Sequence, residues 1–127
     1  MKLEIIIEVI IMFEKLIFLS RSWPFDSEKV VATINGKNVI LKITKENVIV
    51  STTKEVTVPS SVFLKKFDAI NIVAWEEDYY NPDILDGESW GLKYYTTDGK
   101  EKKVTGYNAY PENYDELIDL IFDDGTN

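Results

Sequence analysis

The chain of 127 residues predicts an α+β domain: a mainly antiparallel, curved β-sheet of about six or seven strands, a short central helix and a C-terminal amphipathic helix. Three observations predict it. Several runs alternate apolar and polar residues at the period of a strand, two of them are folded back by Asn35-Gly36 and Asp98-Gly99, and only two stretches carry apolar residues at helical spacing. The size fits one domain spanning 1–127, with Asp123–Asn127 a frayed tail.

Taken in order, Met1–Met12 (MKLEIIIEVIIM) is Ile-rich but interrupted by Glu4 and Glu8. It is far short of the roughly 20 apolar residues that span a bilayer, and acidic residues break it as a signal peptide, so it reads as a strand. Glu8-Val9-Ile10 can also be encoded by a string that matches a bacterial ribosome-binding sequence, with Met12 at the usual distance, which makes 1–11 an upstream extension in a second reading. Glu14–Arg21 is apolar on both faces (Leu16 and Phe18, Ile17 and Leu19), the pattern of a central strand. Pro24 makes Ser22–Ser27 a loop, with Trp23 and Phe25 either forming an exposed aromatic contact or, the favoured reading, folding back as a lid on the core.

Lys29–Ile34 and Asn38–Thr44 flank Asn35-Gly36 as a hairpin, and Val48–Thr53 adds a third strand that Val56–Val58 extends. Pro59-Ser60-Ser61 starts a short helix, with Ser60 or Ser61 as the cap and Val62, Phe63, Phe67 and Leu64 as its apolar face. Ala69–Trp75 is β-rich and reads as a strand; Glu76–Glu88 reads as a long loop.

The clearest local signals lie in the last third. Trp90, Leu92 and Tyr94 alternate with Gly91, Lys93 and Tyr95, Asp98-Gly99 turns the chain, and Lys100–Tyr107 returns it. Pro111 suits the first position of a helix, and Glu112, Asp115 and Glu116 place negative charge where the helix dipole favours it. Tyr114, Leu117, Ile118 and Ile121 form the stripe expected to pack on Trp90, Leu92 and Tyr94. The run W-G-L-K-Y-Y-T-T-D-G-K, followed by G-Y-N-A-Y-P-E-N-Y-D-E-L and preceded by I-L-D-G-E, resembles a motif of small uncharacterised proteins from low-GC Gram-positive bacteria. It covers Ile84 to Ile121 and implies kinship without an activity or catalytic residues.

Composition narrows the chemistry. The absence of Cys and His removes disulfides, thiolate nucleophiles and the commonest general base and transition-metal ligand. The net charge of −8 is concentrated in two segments. Glu76, Glu77, Asp78, Asp83, Asp86 and Glu88 give −6 over residues 76–88; Glu112, Asp115, Glu116, Asp119, Asp123 and Asp124 give −6 over residues 107–127. That sign disfavours direct contact with nucleic acid and favours a protein partner with a basic surface.

The carboxylates of 76–88 lack the alternating oxygen ligands of an EF-hand, and a carboxylate hydrolase needs a deep aromatic-lined cleft, so neither a metal nor a catalytic site nor a cofactor is expected. The expected role is that of a non-enzymatic cytoplasmic protein, not membrane-bound, which contacts its partner through Glu76, Glu77, Asp78, Tyr79, Tyr80, Asp83, Asp86 and Glu88. The alternative is a phage or mobile-element inhibitor that mimics nucleic acid and blocks a CRISPR or restriction nuclease, a resemblance of charge and size. The sheet face left without helices calls for a partner such as a second copy, strong curvature, or a polar surface.

Overall fold

A computed structural model describes residues 13–22, 25–83 and 87–122. The architecture is α+β, with seven strands in one open, mostly antiparallel sheet and two helices. In chain order the strands are β1 (Phe13–Ser22), β2 (Asp26–Asn35), β3 (Asn38–Glu46), β4 (Ser51–Pro59), β5 (Asp78–Tyr80), β6 (Glu88–Thr96) and β7 (Glu101–Tyr107). The helices are α1 (Ser60–Ile70) and α2 (Tyr114–Ile121), and a 3-10 turn spans Ile72–Ala74. The strand order is β4-β3-β2-β1-β6-β7-β5.

β1 is central, as its two apolar faces predict. It pairs antiparallel with β2 on one side (Phe18 opposite Val30) and with β6 on the other (Phe18 opposite Leu92). Gly36 takes φ +64° and Gly99 φ +85°, conformations that favour glycine, so both hairpins turn where Asn-Gly and Asp-Gly place them. Leu16, Phe18, Val30, Ala32, Val39, Leu41, Trp90, Leu92, Tyr94 and Val104 share one face of the sheet and are buried. Phe63 and Ile70 of α1 and Leu117, Leu120 and Ile121 of α2 complete the same core, so both helices cover this face.

Five readings of the element boundaries differ from the structure. Glu76–Glu88 is not all loop: Asp78–Tyr80 forms β5, parallel to β7, and Glu88 opens β6. Val48–Val50 turn rather than pair, because the Asn47 side-chain oxygen accepts the amides of Ile49 (2.8 Å) and Val50 (2.9 Å); Ile49 is 89% exposed, and β4 starts at Ser51. Ala69–Trp75 is not a strand. Phe63, Phe67 and Ile70 recur at helical spacing and carry α1 to Ile70, after which Asn71 at φ 60° ends it and the 3-10 turn follows. Neither Ser60 nor Ser61 caps α1, whose N-cap position is Pro59; Ser60 instead donates its hydroxyl to the Gly36 carbonyl at 3.4 Å.

The fifth difference concerns Pro111, which lies outside α2. Asn113 at φ 68° interrupts any helix between them, and α2 begins at Tyr114. Phe25 is 70% exposed rather than a lid. Trp23, the readings of residues 1–12, Asp86 and the tail 123–127 lie outside the described residues.

Phe18, buried at the centre of the sheet, and Ile49, in the β3–β4 turn, should differ sharply in denaturant unfolding. Phe18→Ala is expected to cost about 3–5 kcal/mol, and Ile49→Lys to stay within about 0.5 kcal/mol of the unchanged protein.

Candidate functional site

The centre of the β6–β7 end is the Trp90 indole. Gly106 lies opposite Trp90 in the β6–β7 ladder, and a Cβ built on Gly106 would fall inside the indole, so only glycine lets the ring lie flat across β7. Its Nε1 donates to the Ala109 carbonyl at 3.0 Å, which satisfies the one polar atom of a buried ring. Phe18, Trp75, Tyr79, Tyr110 and Tyr114 place their rings around it at centroid distances of 6.5, 6.2, 6.3, 6.3 and 4.9 Å. β1, the segment before β5, β5 itself and the segment leading into α2 therefore meet on one side chain.

Asn108 extends the β6–β7 pairing beyond the last strand residue. It adopts φ 55°, donates its amide to the Glu88 carbonyl (2.9 Å) and accepts the Glu88 amide on its side-chain oxygen (2.7 Å). Gly87 packs so closely against the Asn108 side chain that a Cβ there would overlap it. Gly87, Gly106 and Ala109 are thus structural: Gly87 fits Asn108, Gly106 fits Trp90, and Ala109 supplies the carbonyl for the indole.

Next to this hub lies a cleft of about 400 Å³ bounded by Glu88, Tyr110, Pro111, Tyr114, Asp115 and Glu116. Tyr110 is 43% exposed and lies nearly parallel to the Trp90 ring, at an interplanar angle of 9°. Its hydroxyl donates to the Glu88 carboxylate at 2.7 Å. Tyr114 packs against Tyr110 with centroids 4.7 Å apart. Burial and the Glu88 hydrogen bond and charge push the Tyr110 hydroxyl up to about 12. Burial, with the charges of Glu88, Tyr110, Asp115 and Glu28, pushes Tyr114 up as well. At neutral pH the cleft therefore presents two neutral phenols inside a ring of carboxylates.

The residues expected to form one contact surface are dispersed. Glu76 and Glu77 are exposed on the segment before β5, where the Glu76 amide donates to the Tyr79 hydroxyl at 2.9 Å. Tyr79 is half-buried, stacked on Trp90 and packed against the core cluster, so it is not an exposed anchor. β5 alternates, so its neighbours turn the other way: Asp78 accepts the Thr105 hydroxyl at 2.8 Å, and Tyr80, 64% exposed, stacks on Tyr107 at 5.7 Å. Asp83 is exposed in the turn after Asn81, and its amide donates to the Asn81 side chain. Of the seven described residues of this set, Glu88 is the one that lines a cleft with the carboxylates of α2. Tyr110, which the sequence reading did not single out, completes that cleft; its place directly before Pro111, after the β6–β7 hairpin, was the available signal.

Among the described residues no group of three or more carboxylates converges to hold a metal ion, and no helix is long and apolar enough to cross a membrane. Comparison with protein-family models, with curated proteins and with solved structures returns no match.

Two measurements check this geometry. Gly106→Ala should lower stability by about 1–3 kcal/mol, because the indole must move off β7. Tyr110 and Tyr114 both have folded pKa values above the unfolded value near 10, so the fold favours their neutral forms. Their contribution is complete below about pH 10 and is lost as the pH rises through the folded values, about 12 for Tyr110 and higher for Tyr114. Denaturation followed against pH should show stability falling in that alkaline window, with a shallower fall in Tyr110→Phe.

Proposed function

We propose that the protein acts by contact with a basic protein surface, and that a guanidinium or ammonium group of the partner enters the cleft between Glu88, Tyr110 and the first turn of α2. The observation that carries this reading is the exposed Tyr110 ring, held in place by Trp90 beneath and by Glu88 at its hydroxyl, with Asp115 and Glu116 alongside. An aromatic face attracts a cation through its quadrupole, and the carboxylates add charge where the ring adds shape. Arginine fits better than lysine, because its planar group can stack on Tyr110 while its N–H fork reaches a carboxylate.

The role is read as binding rather than catalysis. Fixed, hydrogen-bonded aromatics lose little freedom when a partner arrives, which suits an anchor point. Glu76 and Glu77, exposed on the segment before β5, form in this reading a charged margin that steers the approach of the partner. The reading as a nucleic-acid mimic uses the same carboxylates, since Glu88 and α2 share one cleft. It differs in expecting that duplex DNA competes for the partner and that affinity collapses with salt.

Short arginine-containing and lysine-containing peptides, titrated while the Trp90 indole N–H resonance is followed, test the site. The arginine peptide should bind more tightly, and Glu88→Gln combined with Glu116→Gln should weaken it about tenfold, whereas Glu76→Gln with Glu77→Gln should change it little. Unchanged affinity in the Glu88 and Glu116 variant would remove the cleft from the reading.

A further inference from the structure

The face of the sheet that no helix covers carries charge opposite to that of the protein as a whole. From Lys15 onward the outward positions of β1, β2 and β6 hold Lys15, Arg21, Lys29 and Lys93 and no carboxylate, and β7 adds Lys103; the exposed Glu14 lies at the start of β1, where its pairing with β6 shifts register. Outward carboxylates lie at the periphery: Glu46 at the end of β3, Glu55 on the edge strand β4, Glu101 at the start of β7, and Asp78 on β5, where the Thr105 hydroxyl engages it. In a chain of net charge −8 this is a local reversal of sign.

Within the cationic area is a groove of about 320 Å³ across the β1–β6 pair. Ile17, Leu19 and Gly91 form its apolar floor, and Arg21, Lys93 and Lys103 stand around it. The groove exists because position 91 has no side chain. A Cβ there would meet its nearest neighbour, the Val104 carbonyl oxygen, at 3.9 Å, an ordinary contact, so the backbone does not demand glycine on steric grounds.

The chemistry of this face selects among occupants. A second copy seated face to face by two-fold symmetry would bring Lys15, Lys29 and Lys93 near the same cations of its partner, which is repulsive. Single-stranded nucleic acid is held by aromatic rings on which bases stack, whereas this floor is aliphatic, and Tyr80 and Tyr107 stack on each other towards the outer edge. An aliphatic floor inside a ring of cations complements a segment that is itself acidic around an aliphatic side chain. We infer that the groove over Gly91 docks an acidic segment of a partner protein, with a leucine-like side chain on Ile17 and Leu19 and carboxylates at Arg21, Lys93 and Lys103. This surface lies on the opposite side of the sheet from the acidic cleft and does not depend on it.

The test uses the full chain and four probes: a short glutamate-rich peptide with a central leucine, the same peptide with serine in its place, oligothymidylate, and phosphatidylglycerol vesicles. The leucine peptide should shift the amide resonances of Gly91, Lys93 and Thr105 and lose affinity as salt is raised. The serine peptide, Gly91→Leu and the pair Lys93→Glu with Lys103→Glu should each bind about tenfold or more weakly, with Gly91→Leu retaining the thermal midpoint of the unchanged protein. The charge-reversal pair keeps the test decisive if Gly91→Leu fails to fold. Equal binding of the serine peptide, unchanged binding by either variant, or tighter binding of oligothymidylate or vesicles would overturn the inference. So would binding of the leucine peptide only after residues 1–11 are removed, since the chain's own leading segment would then be the occupant.

Discussion

The fold depends on one close approach, the Trp90 indole lying across Gly106. A large flat ring can be buried between a sheet and a helix only if something beneath it is missing, and here the missing group is the side chain of the residue paired with it. Once the ring is down, its position is fixed by the Ala109 carbonyl, and the neighbouring rings of Phe18, Trp75, Tyr79, Tyr110 and Tyr114 have a common surface to close on. The segment from Asn108 to Asn113 has little regular secondary structure, yet it is held by this ring and by the exchange of two hydrogen bonds between Asn108 and Glu88. An acidic cleft with a defined shape follows from an apolar packing choice.

Much of the sheet was legible in the sequence because its signals are local. Asn35-Gly36 and Asp98-Gly99 demand turns, Leu16–Leu19 demands cover on both faces, and the Tyr114, Leu117 and Ile121 stripe demands a sheet to lie on. The losses occurred where two local signals compete. Ala69–Trp75 has strand-like composition, but Ile70 completes a helical face begun at Phe63, and packing against the core decides the contest. Val48, Ile49 and Val50 have the residue types of a strand, but the Asn47 side chain offers their amides a turn instead.

The candidate site was less legible, for a geometric reason. Residues 76–80 are adjacent in the sequence and share its acidic, aromatic character, but in β5 alternation sends Tyr79 towards Trp90 and Tyr80 towards Tyr107. Conversely, Glu88 and Tyr110 are far apart in the chain and meet only because β6 and β7 are paired. The motif containing Asn108, Ala109, Tyr110 and Pro111 was visible as a pattern, but its purpose, the seating of an indole and the bridging of two strand ends, is a property of contacts between segments. The result is a molecule whose helical side and open side differ in sign as well as in shape, with acidic groups around aromatic rings on one and cations around an aliphatic floor on the other.

The strand order has a kinetic corollary. β1 to β4 form an uninterrupted meander whose pairings are made across short turns, and β6 with β7 is a hairpin, so both pieces can form with little loss of chain entropy. They are joined in the sheet only where β1 meets β6, a ladder in which Phe18 pairs with Leu92, 74 residues away. Closing that loop costs more chain entropy than any turn within either half. The central strand of the sheet is therefore also its seam: the two sides of the chain are knit locally and meet along β1.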